Sequence, residues 1–165
     1  MKISVFGKNS ADAVAVEYNG TADVIDISGN RKNSRYIQTC FQKNNINTVN
    51  NIIMLKKPYR GFANYNDRLK WYDVNAFYLP ENTYVLESSF ICGCVPQFYS
   101  GGISLRYQDY SVNAGSDVFI VYGNYLIECS DTITVYYDNS EIMQCGISDY
   151  ICFKTDGMSE AEFVR

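Results

Sequence analysis

The chain has 165 residues, 47% of them hydrophobic and 19% charged, a balance that fits one folded domain and excludes a disordered chain. Its 14 basic and 18 acidic side chains leave a net charge of −4, and it contains no histidine. Ser-His-Asp and Cys-His catalytic arrangements are therefore excluded, and the commonest metal ligand is missing.

The N-terminal run MKISVF (Met1 to Phe6) reads as a first strand. No apolar stretch of seven or more residues follows it, as an export signal would require. AVAVEY and TADVIDI flank Asn19-Gly20, a dipeptide that can hold both central positions of a type I′ turn at positive φ, so residues 13–27 are predicted to form a hairpin. RYIQTCF (Arg35 to Phe41) is read as a strand from its alternation. Asn44 to Lys56 places Ile46, Val49 and Ile53 at helical spacing, although its asparagines lower helix propensity. Thr83 to Val95 is predicted as a long strand with Tyr84, Leu86, Phe90, Cys92 and Cys94 on one face and Thr83, Glu87 and Ser89 on the other.

ISLRY (Ile103 to Tyr107) alternates as a strand. VFIVY and YLIEC flank Gly123-Asn124, and ITVYY and EIMQC flank Asp138-Asn139-Ser140, giving two more hairpins. DYICFK (Asp149 to Lys154) follows as the next strand of a meander. The tail from Ser159 to Arg165 offers a capping box (Ser159 with Glu162) but is too short to hold a helix by itself. Fifteen tyrosines favour strands and sixteen asparagines favour tight turns. About a dozen strand segments at spacings near 8–12 residues predict an all-β fold, an antiparallel β-sandwich with jelly-roll connections as one form. Residues 1–165 are read as one β-rich domain with a long loop around residues 56–72, and no run approaches the ~18 apolar residues of a membrane span.

The six cysteines, Cys40, Cys92, Cys94, Cys129, Cys145 and Cys152, are expected to be reduced and mostly buried. The paired two-residue knuckles of a zinc site are missing, so no metal is expected. Ser100-Gly101-Gly102 reads as a turn and lacks the Lys-Ser/Thr ending of a phosphate-cradling loop. No calcium loop is spaced along the chain, and no cofactor is expected. Eighteen acids leave room for a carboxylate pair of the glycosidase kind, set about 5 Å or about 6.5–9.5 Å apart, and aromatics on a sheet would suit a sugar. A carbohydrate-binding or glycoside-cleaving sandwich is therefore an alternative to the main reading.

That main reading rests on charge. Residues 1–55 carry a net +2, residues 56–72 a net +4, and residues 73–165 a net −10. The middle segment, KKPYRGFANYNDRLKWY, holds Lys56, Lys57, Arg60, Arg68 and Lys70 beside Tyr59, Phe62, Tyr65, Trp71 and Tyr72. Tyr, Trp and Arg are enriched at interface hot spots, and complementary potentials steer association. These ten residues are the candidate contact surface for a protein with an acidic patch, another copy of the chain being one such partner. Interleaved cations and aromatics also suit single-stranded nucleic acid, against which stands a pI near 4.8. No membrane partner is expected.

The expected function is a non-enzymatic binding or assembly subunit. In composition and architecture the chain resembles small viral and phage proteins, among them virion components and inhibitors of host factors. That resemblance implies folding in the cytoplasm or assembly there into a virion. Gly20→Val places a β-branched side chain where positive φ is required, and chemical denaturation is expected to show a loss of about 1–3 kcal/mol.

Overall fold

In the computed structural model, residues 1–57, 62–85, 90–154 and 162–164 are described, those from 148 onward as backbone alone. In chain order the elements are β1 (Lys2–Lys8), β2 (Ala13–Tyr18), β3 (Thr21–Asp26), α1 (Asn33–Asn44), β4 (Thr48–Met54), α2 (Ala63–Leu69) and β5 (Asp73–Pro80). Then come β6 (Gln97–Tyr99), β7 (Ile103–Arg106), β8 (Tyr110–Ala114), β9 (Val118–Tyr122), β10 (Tyr125–Cys129), β11 (Thr132–Tyr137), β12 (Ser140–Gly146), β13 (Ser148–Lys154) and β14 (Glu162–Val164). Strand predominates, and two sheets pack face to face as the expected all-β sandwich.

One sheet has eight strands in the order β14-β13-β1-β2-β3-β4-β5-β6. Its β1–β3 side is antiparallel, whereas β3, β4, β5 and β6 run parallel to one another. The other sheet has six antiparallel strands, β7 to β12, arranged in sequence order as an up-and-down meander in place of jelly-roll connections. DYICFK does not extend that meander. It lies in β13, which crosses to the first sheet and pairs with β1 from Lys2↔Lys154 to Lys8↔Ser148.

The expected hairpins form with two-residue turns. Tyr18 faces Thr21 across Asn19 (φ 49) and Gly20 (φ 79), and Tyr122 faces Tyr125 across Gly123 and Asn124. In the third, Asp138 (φ 48) and Asn139 (φ 64) make the turn and Ser140 already belongs to β12. A Cβ at position 20 would meet nothing within 4 Å, so the cost of substitution there is backbone strain alone.

Three expected elements change type. Residues 35–41 lie in helix α1, whose buried Asn33, Ser34, Ile37, Cys40 and Phe41 fall at helical spacing. The helix stops at Asn45, in the left-handed region (φ 55), and the Ile46 N–H closes on Phe41 O at 3.0 Å. Residues 48–54 form strand β4, not a helix. Ala22 pairs with Val49 but Asp23 pairs with Asn51, so Asn50 is an extra residue in the ladder. The bulge puts Val49 and Ile52 in one apolar cluster, whereas Ile53, which the helical spacing grouped with Ile46 and Val49, packs in the cluster on the opposite face. The described residues between Thr83 and Val95 form no strand: Ile91 and Cys94 exchange backbone hydrogen bonds of 3.0 Å across a tight Cys92-Gly93 turn, with both turn residues at positive φ, and Leu86, Glu87 and Ser89 lie outside the described residues. Within the tail, Glu162–Val164 is strand β14 pairing with β13, and the rest of 155–165 lies outside the described residues.

The strands β1–β4 of the eight-stranded sheet bury residues on both faces. Ile3, Val5, Val14, Val16, Ile25 and Ile53 face the second sheet and pack with Val112, Val118, Ile120, Ile127, Ile133 and Val135. On the opposite face Ala13, Ala15, Ala22, Val24, Val49 and Ile52 pack with Ile37 and Phe41 of α1 and Tyr65 and Leu69 of α2. Parallel neighbours require crossovers, and both helical crossovers run over this one face. The molecule thus has three layers: helices, mixed sheet, meander.

A buried carboxylate stitches the two sheets together. Asp23 of β3 accepts hydrogen bonds from Asn51 Nδ2 (2.7 Å), Tyr107 OH (2.8 Å) and Tyr110 OH (2.7 Å), and the two phenol rings stack at 4.4 Å. Burial first, and the neighbouring carboxylate after it, push both phenols well above their usual range. Tyr110→Phe removes one donor from a fully buried carboxylate and is expected to cost about 1.5–3 kcal/mol in urea denaturation. An unchanged midpoint would show that the sheets are held by apolar packing alone.

Candidate functional site

The helical layer is the most strongly charged part of the fold. Residues 27–72 contain nine basic side chains, Arg31, Lys32, Arg35, Lys43, Lys56, Lys57, Arg60, Arg68 and Lys70, against one acid, Asp67. Arg31, Lys32, Arg35, Lys43, Lys56, Lys57 and Lys70 are exposed. α1 turns Ile37, Cys40 and Phe41 to the sheet, and this leaves Arg35, Thr39, Gln42 and Lys43 on its outer side. The cations therefore follow from amphipathicity: the polar stripe of a surface helix points away from the core.

The predicted contact segment does not form one patch. Lys56 and Lys57 leave the carboxyl end of β4, whereas Lys70, Trp71 and Tyr72 lie next to the amino end of β5. Parallel strands put those ends on opposite sides of the sheet, separated by a strand of seven residues or about 23 Å. Between them the expected long loop contains helix α2, whose inner side takes the aromatics. Tyr65 is 1% exposed and so cannot touch a partner. Phe62 packs edge-on against Phe77 at 6.1 Å, and Tyr72 packs against Phe41 at 5.0 Å. Arg68 is half-buried and tied to α1, donating through Nη1 to Gln38 Oε1 at 3.2 Å while its carbonyl accepts from Gln38 Nε2 at 3.2 Å. Tyr59 and Arg60 lie outside the described residues. Trp71 alone among the described aromatics of the segment is fully turned to solvent, 81% exposed, with Lys70 Nζ 5.2 Å from its ring centre. Lys70 and Tyr72 line a groove of about 680 Å³ that continues over Asp73 and Val74 to the Cys92-Gly93 turn.

Further apolar groups surface near the edge strand β6. Tyr84, Phe90, Val95 and Phe98 are exposed, and so Tyr84 and Phe90 do not share a buried face with Cys92 and Cys94. Asn66 of α2 fixes this turn by donating to Phe90 O (3.3 Å) and accepting from the Cys92 N–H (2.7 Å). Cys40, Cys92, Cys94 and Cys129 are buried free thiols, in line with expectation, and Cys145 is half-buried. Burial pushes the Cys40, Cys92 and Cys129 thiols up to about 12, so they stay in the unreactive thiol form. Among the described residues no three of His, Cys, Asp and Glu gather as metal ligands.

The helical layer is anchored by a second buried carboxylate. Asp26, at the carboxyl end of β3, accepts from the Gly29 N–H (2.8 Å), from Asn33 Nδ2 (2.8 Å) and from the Tyr65 hydroxyl. Gly29 is required there: its φ is +68, and a Cβ would stand 2.7 Å from Lys57 O. Asn33 Nδ2 also reaches Ser28 Oγ and Asp12 O, whereas Asn33 Oδ1 and Ser34 Oγ, buried in the first turn of α1, have no partner among the described residues. Burial pushes the Asp26 carboxyl up to about 6, against its three hydrogen bonds. Asp23 and Asp26 lie on opposite faces of one strand, so they cannot act as a glycosidase pair on one sugar.

Across the molecule the sign of charge reverses. Residues 103–146, which build the meander, hold Asp109, Asp117, Glu128, Asp131, Asp138 and Glu141 against Arg106 alone. The sequence shows this division along the chain, as the net +4 of residues 56–72 and the net −10 of residues 73–165, and the fold turns it into a difference between two layers. The two acids inside the apolar run TADVIDI were the available signal for the buried carboxylates. No protein-family model matches the chain, and no curated protein is similar to it in sequence. Among the described residues no helix is long and apolar enough to cross a membrane.

A carboxyl held at about 6 in the fold, against 3.8 ordinarily, binds its proton more tightly when folded. Its contribution is therefore full below about pH 4, is lost as pH rises to about 6, and amounts to about 3 kcal/mol at most. Asp26→Asn is expected to flatten that window when denaturation midpoints are compared between about pH 4 and pH 7; parallel profiles would refute the reading.

Proposed function

We propose that this chain is a non-enzymatic binding or assembly subunit that docks an acidic protein surface against its helical layer. The observation that carries this reading is the set of exposed cations Arg31, Lys32, Arg35 and Lys43 in and beside α1 and Lys70 after α2, with Asp67 as the lone acid in residues 27–72. A face of one sign raises the local concentration of an oppositely charged partner and orients it on approach. Trp71 supplies what charge alone lacks, a large exposed ring at the edge of that face. Single-stranded nucleic acid is less well served, because Phe62, Tyr65 and Tyr72 pack inward and leave no row of stacking platforms.

The test uses poly-glutamate and oligo(dT) as soluble probes, followed by the fluorescence of Trp71, the single tryptophan. Poly-glutamate is expected to bind at about 0.1 M salt, where the Debye length is about 10 Å, and to be released at about 1 M, where it is about 3 Å. The triple variant Lys32→Glu, Arg35→Glu and Lys70→Glu should weaken binding at least tenfold without loss of fold, since exposed charges contribute little to stability. No binding of poly-glutamate, or tighter binding of oligo(dT), would overturn the proposal.

A further inference from the structure

The outer face of the meander is the natural counterpart of the helical layer. Its inward residues fill the core between the sheets, and the alternate residues form two cross-strand rows on the outer face, exposed or half-buried except for Thr134, which is buried. One row runs Ser111, Val121, Leu126, Tyr136, Glu141, and the other runs Asn113, Phe119, Glu128, Thr134, Gln144. Val121, Leu126 and Tyr136 are direct neighbours, as are Phe119 and Glu128, so apolar side chains lie together in the middle of the face. Acids surround them: Glu128 and Glu141 on the face, Asp138 in the turn at one end of the strands, Asp117 and Asp131 in the turns at the other. An apolar centre within a charged rim is the anatomy of a protein interface.

We infer that this face receives the helical layer of a second copy of the chain, so that copies stack head to tail. The inference rests on the binding role proposed for the helical layer and names its partner. Charge complementarity argues for this occupant. Residues 27–72, which supply the helices and β4, hold nine cations and one acid, eight of the cations among the described residues, and residues 103–146 of the meander hold six acids and one cation. Trp71 offers the helical side an apolar group to set against Val121, Leu126 and Tyr136. The two surfaces lie on opposite outer layers of the same molecule, so neither can satisfy the other within one copy. A contact between unlike faces is heterologous, and a stack built from it stays open unless its rotation closes a ring.

Sedimentation velocity on two complementary variants tests this. The helical variant (Lys32→Glu, Arg35→Glu, Lys70→Glu) leaves residues 27–72 with six cations against four acids, and the meander variant (Glu128→Lys, Asp131→Lys, Glu141→Lys) leaves residues 103–146 with three acids against four cations, so each has one altered and one unaltered face. The wild type is expected to form assemblies larger than a dimer at about 0.1 M salt that dissociate at about 1 M. Each variant alone should sediment as a monomer, and their equimolar mixture should form a one-to-one complex through the unaltered helical layer of the meander variant and the unaltered meander of the helical variant, with a blue shift of Trp71 emission in the paired sample. Circular dichroism of each variant distinguishes lost association from lost fold, and Val121→Lys alone, at an exposed apolar site, should weaken the wild-type assembly. A wild type that is a salt-insensitive monomer, or variants that fail to assemble when mixed although folded, would overturn the stacking. If poly-glutamate still binds the wild type in that case, the docking role stands and only the second copy is wrong.

Discussion

Strand β3 is buried on both of its faces, and each face presents one carboxylate to a different layer. Asp23 reaches up to Tyr107 and Tyr110 of the meander, and Asp26 reaches down to Tyr65 of α2 and to the turn that starts α1. An ionised carboxylate left without donors in a low-dielectric interior costs several kcal/mol, so each of these groups demands its full set of partners. The demand is directional in a way that apolar packing is not. It fixes where the meander sits on the mixed sheet and where the helices sit beneath it.

Tyrosine does the work that arginine or histidine does in many other proteins. Tyr18 donates to Asp109 at 2.7 Å, Tyr99 donates to Met54 O at 2.8 Å, and the buried carboxylates take their hydroxyl donors from Tyr65, Tyr107 and Tyr110. A phenol brings a neutral donor on a large apolar ring, so it fills core volume while it satisfies the charge. The consequence for the surface is direct. Among the described residues neither buried carboxylate takes a cation as its hydrogen-bond partner, and Arg31, Lys32, Arg35 and Lys70 are exposed on the helical side.

The separation of charge follows from topology. Parallel neighbours cannot be joined by a tight turn, so the connections after β3 and β4 must cross a face of the sheet, and they carry the basic residues 27–72 with them. The antiparallel meander needs only short turns and forms a sheet of its own on the other side, carrying its acids. A difference along the chain becomes a difference between two outer faces, on which both the docking role and the head-to-tail stacking depend.

Local chemistry in the sequence determined the strands of the meander apart from β8, and the hairpin at Asn19-Gly20, because alternation and the positive-φ tolerance of Asn and Gly act between near neighbours. It also determined the absence of histidine chemistry and the burial of the thiols. It could not determine the identity of residues 35–54. The apolar spacing of RYIQTCF suits either period over so short a run, and Ile46, Val49 and Ile53, though at helical spacing, divide between the two faces of the sheet. Both were settled by long-range pairing, which placed residues 48–54 between two parallel strands and left α1 to cover them. The contact segment shows the same limit. Its cations were visible in the sequence, but their distribution was not: Lys57 and Lys70 are thirteen residues apart in the chain and at opposite ends of the strands in space. Tyr65, Phe62 and Tyr72 had the composition of a contact surface, yet a helix has an inner side, and only the sheet beneath α2 decided which residues it took.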